Sequence, residues 1–144
     1  EEERELLEKI INNQMWDEKT AFYYDMRRDG TLTDTKPVGA YWTMMAGLVS
    51  DDRAKRFVAH LDNENEFKRP FRIPTLSADH PEYQERGDYW RGSVWAPTNY
   101  MVLKALDKYG YKKGYAFFEQ CIFDSAVKLH DRRGHDAKHE QSCR

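Results

Sequence analysis

Three X-Pro steps, at Arg69-Pro70, Ile73-Pro74 and His80-Pro81, lie close together in the middle of the chain. Each pushes the residue before it away from the helical region. No helix can cross residues 67–80, yet helical periodicity stands on both sides. Phe71, Ile73 and Leu76 lie among the prolines, so the connection is expected to be ordered rather than floppy. Long ordered connections in compact domains are usually functional. This one leads into Gly87-Asp88-Tyr89-Trp90-Arg91-Gly92-Ser93-Val94-Trp95-Ala96-Pro97-Thr98-Asn99-Tyr100. There Tyr89, Trp90, Arg91 and Trp95 crowd between two glycines and a proline. Such a loop is either buried against helices, with Trp90 and Trp95 as core anchors and Arg91 in a structural ion pair, or it is a wall on which a flat polar ligand stacks. Aromatic faces suit the C–H-rich faces of sugar rings, and an arginine fork or an aspartate bonds the hydroxyls.

On the N-terminal side, Leu6, Leu7, Ile10, Ile11 and Met15 form a ladder at helical spacing. Glu1, Glu2 and Glu3 suit the positive end of the helix dipole. No cap signal precedes the ladder, which predicts a helix continuing from a longer chain. Thr20-Ala21-Phe22-Tyr23-Tyr24-Asp25-Met26 is β-prone, and Arg28-Asp29-Gly30 is a turn signal. Thr31-Leu32-Thr33 returns as a second short strand, giving a β-hairpin between helices. Asp25, after two tyrosines, either faces a ligand or is an exposed turn carboxylate.

Pro37 opens a helix whose apolar face is Val38, Tyr41, Trp42, Met45, Leu48 and Val49. Ser50 is an N-cap followed by acidic Asp51 and Asp52, and Ala54, Phe57, Val58 and Leu61 line the next helix. So short a break predicts an αα-hairpin. Beyond the aromatic loop the pattern repeats. A helix runs from about residue 97 to 109 with Val102, Ala105, Leu106 and Tyr109, Gly110 breaks it, and another runs over about 112–129. Phe117, Phe118, Cys121, Ile122, Val127 and Leu129 wrap widely around that last helix, which implies burial on more than one side. Hairpin, long loop, hairpin is the rhythm of an α/α toroid whose loops at one end form a pocket.

The 144 residues fit one domain or part of a larger one, and a formal net charge of -2 gives no basic footprint for nucleic acid. No apolar run is long enough to span a bilayer, and no signal-peptide pattern opens the chain. Cys121 reads as a small buried hydrophobe and Cys143 lies in a polar tail, so the pair suggests neither a disulfide scaffold nor a zinc site, and selects no compartment. Residues 130–144 are nearly free of apolar side chains. His135 and His139 have i, i+4 spacing, with His130, Asp131 and Asp136 nearby, but no HExxH and no apolar framework fix ligands there. A solvated tail is the expectation, with no metal and no cofactor.

The 87–95 stretch, running into Asn99-Tyr100 and then Leu106, Tyr109 and Gly110, resembles a segment of the (α/α)6-barrel glycoside hydrolases. The similarity is greatest to the mannosylglycerate hydrolase-like and glycoside hydrolase family 63 group, with trehalases and glycogen-debranching domains as more distant relatives. Met15-Trp16-Asp17 with Phe22-Tyr23-Tyr24-Asp25, Pro37-Val38-Gly39-Ala40-Tyr41-Trp42 with Ala46-Gly47-Leu48, and Pro74-Thr75-Leu76-Ser77-Ala78-Asp79 before Pro81-Glu82-Tyr83 are similar to further segments of that group. The resemblance covers about residues 5–129.

The resemblance implies a mainly α fold, a partial (α/α)6 toroid made of helical hairpins with one small β-hairpin, over residues 1–129. It implies an inverting glycosidase acting on an α-linked sugar (a glucoside, mannoside or mannosylglycerate), with one carboxylic acid protonating the leaving oxygen and one carboxylate activating water. Tyr89 and Trp90 would shape the subsite of the cleaved sugar, with Arg91 and Trp95 bracing or contacting it and Asp25 as a further contact. The group's general acid lies in a segment upstream of Glu1. Its general base is a Glu following the last helix, for which Glu140 is the positional candidate, although no aromatic residue follows it as the group's pattern requires. A complete toroid at roughly 30 residues per hairpin plus its loop needs at least twice this length, so the chain reads as the C-terminal part of such a domain. The alternative is a non-catalytic carbohydrate-binding or structural remnant, or one half of a split barrel. Open helix faces at residues 6–11 and 117–122 would drive self-association.

Overall fold

The computed structural model describes residues 2–70 and 72–111. The expected helix at residues 112–129, the tail at 130–144 and Glu140 lie outside them.

The N-terminal ladder forms α1 (Glu2–Ile10), and the chain then widens into a π-helical turn over Ile11–Met15. No residue of α1 is buried, and Leu6 and Leu7 are 58% and 50% exposed. Ile11 and Met15 pack on the core. Asn12 fastens this end of the helix. Its Nδ2 donates to Leu48 O (3.0 Å), its Oδ1 accepts from the Tyr23 hydroxyl (2.8 Å), and its carbonyl accepts from Arg53 (2.8 Å).

A small antiparallel hairpin follows, upstream of its expected place. β1 (Trp16–Asp17) pairs with β2 (Phe22–Tyr23), Trp16 opposite Tyr23 and Asp17 opposite Phe22. Asp17 shapes the turn by accepting from Lys19 N, Thr20 N and Thr20 Oγ1, an Asx-type arrangement. The Arg28-Asp29-Gly30 turn exists, with Gly30 at φ 83°, but it closes only one bridge, Met26 to Leu32.

The helix expected over residues 37–49 is shorter. Pro37 is extended (φ -85°, ψ 152°) and precedes a 3-10 turn over Val38–Tyr41, which runs into α2 (Trp42–Ala46). Gly47 stops α2 at φ 77°, with Gly47 N bonded to Met44 O and Leu48 N to Thr43 O, so Leu48 and Val49 fall beyond it. The next helix, α3 (Asp51–Val58), starts as the sequence predicts, with the Ser50 side chain accepting from Arg53 N, and tightens into a 3-10 turn over Ala59–Asp62. The last described helix, α4 (Ala96–Lys108), carries Pro97 in its first turn and closes at Gly110 (φ 77°). α2 packs along α4, and Lys108 Nζ donates to Met45 O (2.9 Å) at the carbonyl end of α2.

The core is aromatic. Tyr41 stacks on Phe57 (4.3 Å between centroids, 11° between planes), and Phe22 meets Phe57 edge-on at 4.9 Å and Tyr41 at 6.1 Å. The Tyr41 hydroxyl donates to Phe57 O (3.2 Å), which satisfies a phenol that burial keeps protonated far above its ordinary range. Beside this stack lies a half-buried ionic cluster. Lys36 Nζ donates to Glu66 Oε1 and, at 2.6 Å, to Asp79 Oδ2. His60 Nδ1 is 2.5 Å from Glu66 Oε2, and its Nε2 is 3.0 Å from Thr20 O. The cluster joins the hairpin turn, the segment before α2, the end of α3 and the Pro-rich connection.

Burial raises the Glu66 carboxyl, but the hydrogen bonds from His60 and Lys36 outweigh it and hold the group below its ordinary value of 4.5. Burial likewise depresses Lys36, and its bonds to Asp79 and Glu66 outweigh that and raise it above 10.5. The Glu66 contribution to stability is therefore complete above about pH 4.5 and is lost as pH falls through the lowered folded value. The Lys36 contribution is complete below about pH 10.5 and is lost as pH rises through the raised one. Urea midpoints followed from pH 7 down to pH 3 should decline, and Glu66→Gln should start lower and decline less. An unchanged decline in the variant would mean that other carboxylates set the acid limb.

Candidate functional site

The Pro-rich connection is part of the interior: Arg72, Ile73, Pro74, Thr75, Leu76 and Ser77 are all buried. Pro37 and Leu76 form an isolated antiparallel bridge, and Ser77 N donates to Lys36 O (3.1 Å), so the connection lies against the entry to α2. Asn99, fully buried in the first turn of α4, donates from Nδ2 to Arg72 O (3.3 Å). These contacts provide a rigid floor beneath the aromatic loop.

Backbone bonds fold the loop over that floor. Gln84 N donates to Arg91 O (2.6 Å), Gly87 N to Gln84 O (2.9 Å) and Arg91 N to Asp88 O (2.7 Å). Gly92 is indispensable here. At φ 131° an added Cβ would lie 2.5 Å from Gln84 O and 2.9 Å from the Tyr83 ring. Tyr89 is also left-handed (φ 47°), a conformation rare for a bulky residue.

The loop presents its aromatic side chains outward. Tyr89 is 70% and Trp90 46% exposed, and neither belongs to the hydrophobic core. The rings hold one another instead. Trp90 and Trp95 are 4.4 Å apart between centroids, Tyr89 and Trp95 5.2 Å, and Tyr89 and Trp90 6.0 Å, all edge-to-face. Trp95 also ends the loop as the extended N-cap of α4, its carbonyl accepting from Thr98 Oγ1 (2.9 Å). Arg91 pairs with Asp88, both about half exposed. An exposed pair of this kind contributes about 0–1 kcal/mol, so the guanidinium can turn to another acceptor at little cost.

Of the residues singled out in the sequence, the structure brings together Tyr89, Trp90, Arg91 and Trp95. Asp25 is exposed on the Met26–Leu32 bridge, where its carbonyl accepts from Thr33 N, and no described hydrogen bond joins its carboxylate to the loop. A cleft of about 770 Å³ opens beside the loop, with Arg69, Tyr83, Glu85, Arg86, Val94 and Trp95 in its walls. The Arg69 guanidinium lies 5.9 Å from the Tyr83 ring centroid and 3.5 Å from Glu85, and donates to Glu64 O (3.0 Å). Sequence reasoning did not single out Arg69, Tyr83 and Arg86 as site residues: Arg69 stood only as the residue before Pro70, Tyr83 only within a family-similar segment, and nothing local marks Arg86. An aromatic wall beside arginine and carboxylate side chains suits a flat, hydroxyl-rich ligand. Among the described residues, no group of three or more His, Cys, Asp or Glu is placed to hold a metal ion, and no helix is long and apolar enough to cross a membrane.

The family model described as the mannosylglycerate hydrolase MGH1-like glycoside hydrolase domain matches residues 1–141. The chain is 33% identical over 115 residues to a cytosolic neutral trehalase of Kluyveromyces lactis, covering 75% of this chain and 15% of that one. It is 26% identical over 121 residues to the mannosylglycerate hydrolase of Thermus thermophilus, covering 83% and 28%. The structure of the neutral trehalase of Saccharomyces cerevisiae superposes with a TM-score of 0.71 at 18% identity, over 84% of this chain and 22% of the trehalase. The chain thus spans less than a third of these relatives, and the α/α toroid of the glycosidases is its fold.

The close approach at Gly92 has a measurable consequence. Gly92→Ala places a Cβ against backbone and should cost about 1–3 kcal/mol, lowering Tm by several degrees. Gly30→Ala meets nothing within 4 Å, although Gly30 is also left-handed at φ 83°, and so serves as the control for backbone strain alone. Equal losses in the two variants would contradict the packing of Gly92 on Gln84 and Tyr83.

Proposed function

We propose, from the premise that the chain belongs to the mannosylglycerate hydrolase MGH1-like glycoside hydrolase domain family, that its 89–95 loop forms a sugar-binding wall of an inverting α-glycosidase. It is a glycoside hydrolase domain related to mannosylglycerate hydrolase and to trehalase. The substrate class in this reading is an α-linked glucoside, mannoside or mannosylglycerate. The observation that carries it is the ring cluster of exposed Tyr89 and Trp90 with half-buried Trp95, which lines the cleft, beside Arg91. Aromatic area of that size left outside a core that already contains Tyr41, Phe57, Phe22 and Phe67 is suited to a ligand surface.

In this mechanism the sugar ring lies on the indole faces, and Arg91 exchanges its weak pairing with Asp88 for a two-point contact with ring hydroxyls or a carboxylate. Inverting hydrolysis further requires a general acid at the glycosidic oxygen and a general base on a water across the ring. By resemblance the acid belongs to a segment preceding Glu1 in the family's order and the base to a Glu after the last helix, for which Glu140 stands as the candidate. The described residues contribute binding and orientation. A second reading is one part of a split toroid, favoured by the exposed Leu6 and Leu7 of α1, a face that neighbouring hairpins cover in a closed ring and that would otherwise drive self-association.

Two measurements test this reading. The 144-residue protein alone should hydrolyse neither 4-nitrophenyl α-glucoside nor α-mannoside above background, and turnover abolished by Glu140→Gln would instead make Glu140 the working base. Methyl α-mannoside or methyl α-glucoside should change the tryptophan emission of the protein. Trp90→Ala should remove that response, and Arg91→Lys should weaken binding about tenfold, since Lys lacks the planar fork. Both variants should keep Tm close to that of the parent. A Trp90→Ala protein that unfolds, with Arg91→Lys binding unchanged, would make these residues structural.

A further inference from the structure

Beneath the loop, Thr75 is 1% exposed and uses every hydrogen-bonding group it has. Its N–H donates to Ser93 O (2.9 Å) and its carbonyl accepts from Val38 N (3.0 Å), where the turn into α2 begins. Its hydroxyl donates to Tyr89 O (3.3 Å) and accepts from Gly92 N (3.2 Å). A hydroxyl has one proton and two lone pairs, so this geometry matches its capacity without conflict. The two backbone groups it holds bracket Trp90 and Arg91. Tyr89 sits in a left-handed conformation that an exposed loop would not keep unaided. Neither Tyr89 nor Trp90 gains an anchor from the hydrophobic core.

We propose that Thr75 is a positioning residue for the sugar wall: its buried hydroxyl, by fixing Tyr89 O and Gly92 N–H together, sets the direction in which Trp90 and Arg91 project from the loop. The inference rests on the sugar-wall reading of the 89–95 loop. It assigns Thr75 no contact with the ligand. Removing the hydroxyl while keeping the side-chain shape leaves the buried Gly92 N–H without its partner and frees the Tyr89 carbonyl from Thr75, and the N–H is then satisfied only if the loop lifts toward water. The loop's aromatic rings move with it, while the aromatic core about Tyr41 and Phe57 is untouched.

The experiment compares the full 144-residue chain with Thr75→Val, which loses the hydroxyl, and Thr75→Ser, which keeps it. Binding of methyl α-mannoside and methyl α-glucoside is read by tryptophan emission. Hydrogen exchange is read at Gly92, at the exposed Trp90 and in α4. The expected result is sugar binding weakened about tenfold or more in Thr75→Val, restored to within about threefold in Thr75→Ser, with faster exchange confined to the loop. Equal affinity in Thr75→Val, or equal loss in both variants, would overturn the positioning role while the parent's binding keeps the sugar wall intact. Absence of sugar binding in the parent would overturn the sugar wall, and the positioning role with it. If Thr75→Val does not fold, exchange in the parent decides. The Gly92 amide should exchange far more slowly than that of Trp90, and equal rates would overturn the proposal.

Discussion

The stacked pair of Tyr41 and Phe57 is the contact on which the rest of the structure depends. Tyr41 enters from the 3-10 turn before α2 and Phe57 from the last turn of α3, and their rings lie nearly parallel at 4.3 Å. Phe22 of the hairpin and Phe67 at the head of the Pro-rich connection close around them. Four segments far apart in sequence therefore meet at one buried aromatic group. Burial of such rings dominates core energetics, and truncating one typically costs about 3–5 kcal/mol. Of the helices that carry or adjoin these rings, α2 has five residues and α3 eight. Helices so short are marginal by themselves and are held by the face they bury.

The ionic cluster at Glu66 acts on the same segments in a different way. Lys36, His60 and Asp79 converge where the hairpin turn, α3 and the connection meet. Ion pairs taken out of water gain little net free energy, because desolvation offsets their attraction. They are demanding about geometry, however, and a misplaced connection would leave Glu66 buried and unpaired. The aromatic group thus supplies most of the cohesion, and the charged cluster fixes which arrangement of loops accompanies it. The Pro-rich connection needs such fixing, since residues 72–77 are buried without belonging to a helix or strand.

The parts of this fold that were legible in the sequence are those governed by neighbouring residues. Ser50 with Asp51 and Asp52 marked the start of α3, and Pro97 with Gly110 marked the limits of α4, because capping acts within one turn. The toroid class was legible through family resemblance, since no repeat stands out in the residues. Misjudged were features set at a distance or by an unexpected backbone. Asp17 caps a turn that ends at Ala21 with φ 56°, so the hairpin forms earlier than β-propensity suggested. Gly47, which looked like one residue of a longer apolar helix, takes a left-handed φ and ends α2. Ile73, β-branched and at φ 54°, departs from the extended backbone expected before Pro74; it is fully buried and its N–H bonds Phe67 O (3.3 Å). Tyr89, Trp90, Arg91 and Trp95 stood out in the sequence as a dense run that was either core or ligand wall, and only the family resemblance suggested a role for them. Thr75 and Arg69 did not stand out, because their partners lie on other segments.

That division of labour explains how the loop can expose Tyr89 and Trp90 without losing its fold. The 83–95 loop is shaped by backbone hydrogen bonds, by a glycine packed on Gln84 and Tyr83, and by one buried threonine. None of these depends on what Tyr89, Trp90 or Trp95 carry beyond Cβ. The rings are therefore spare with respect to stability, as far as the core about Tyr41 and Phe57 is concerned. A loop stabilised by its own aromatic residues would have to bury them and could not offer them to a ligand. Here the cost of fixing the backbone is met from below, by the 72–77 floor and the first turn of α4. Tyr89 and Trp90 above that support remain exposed.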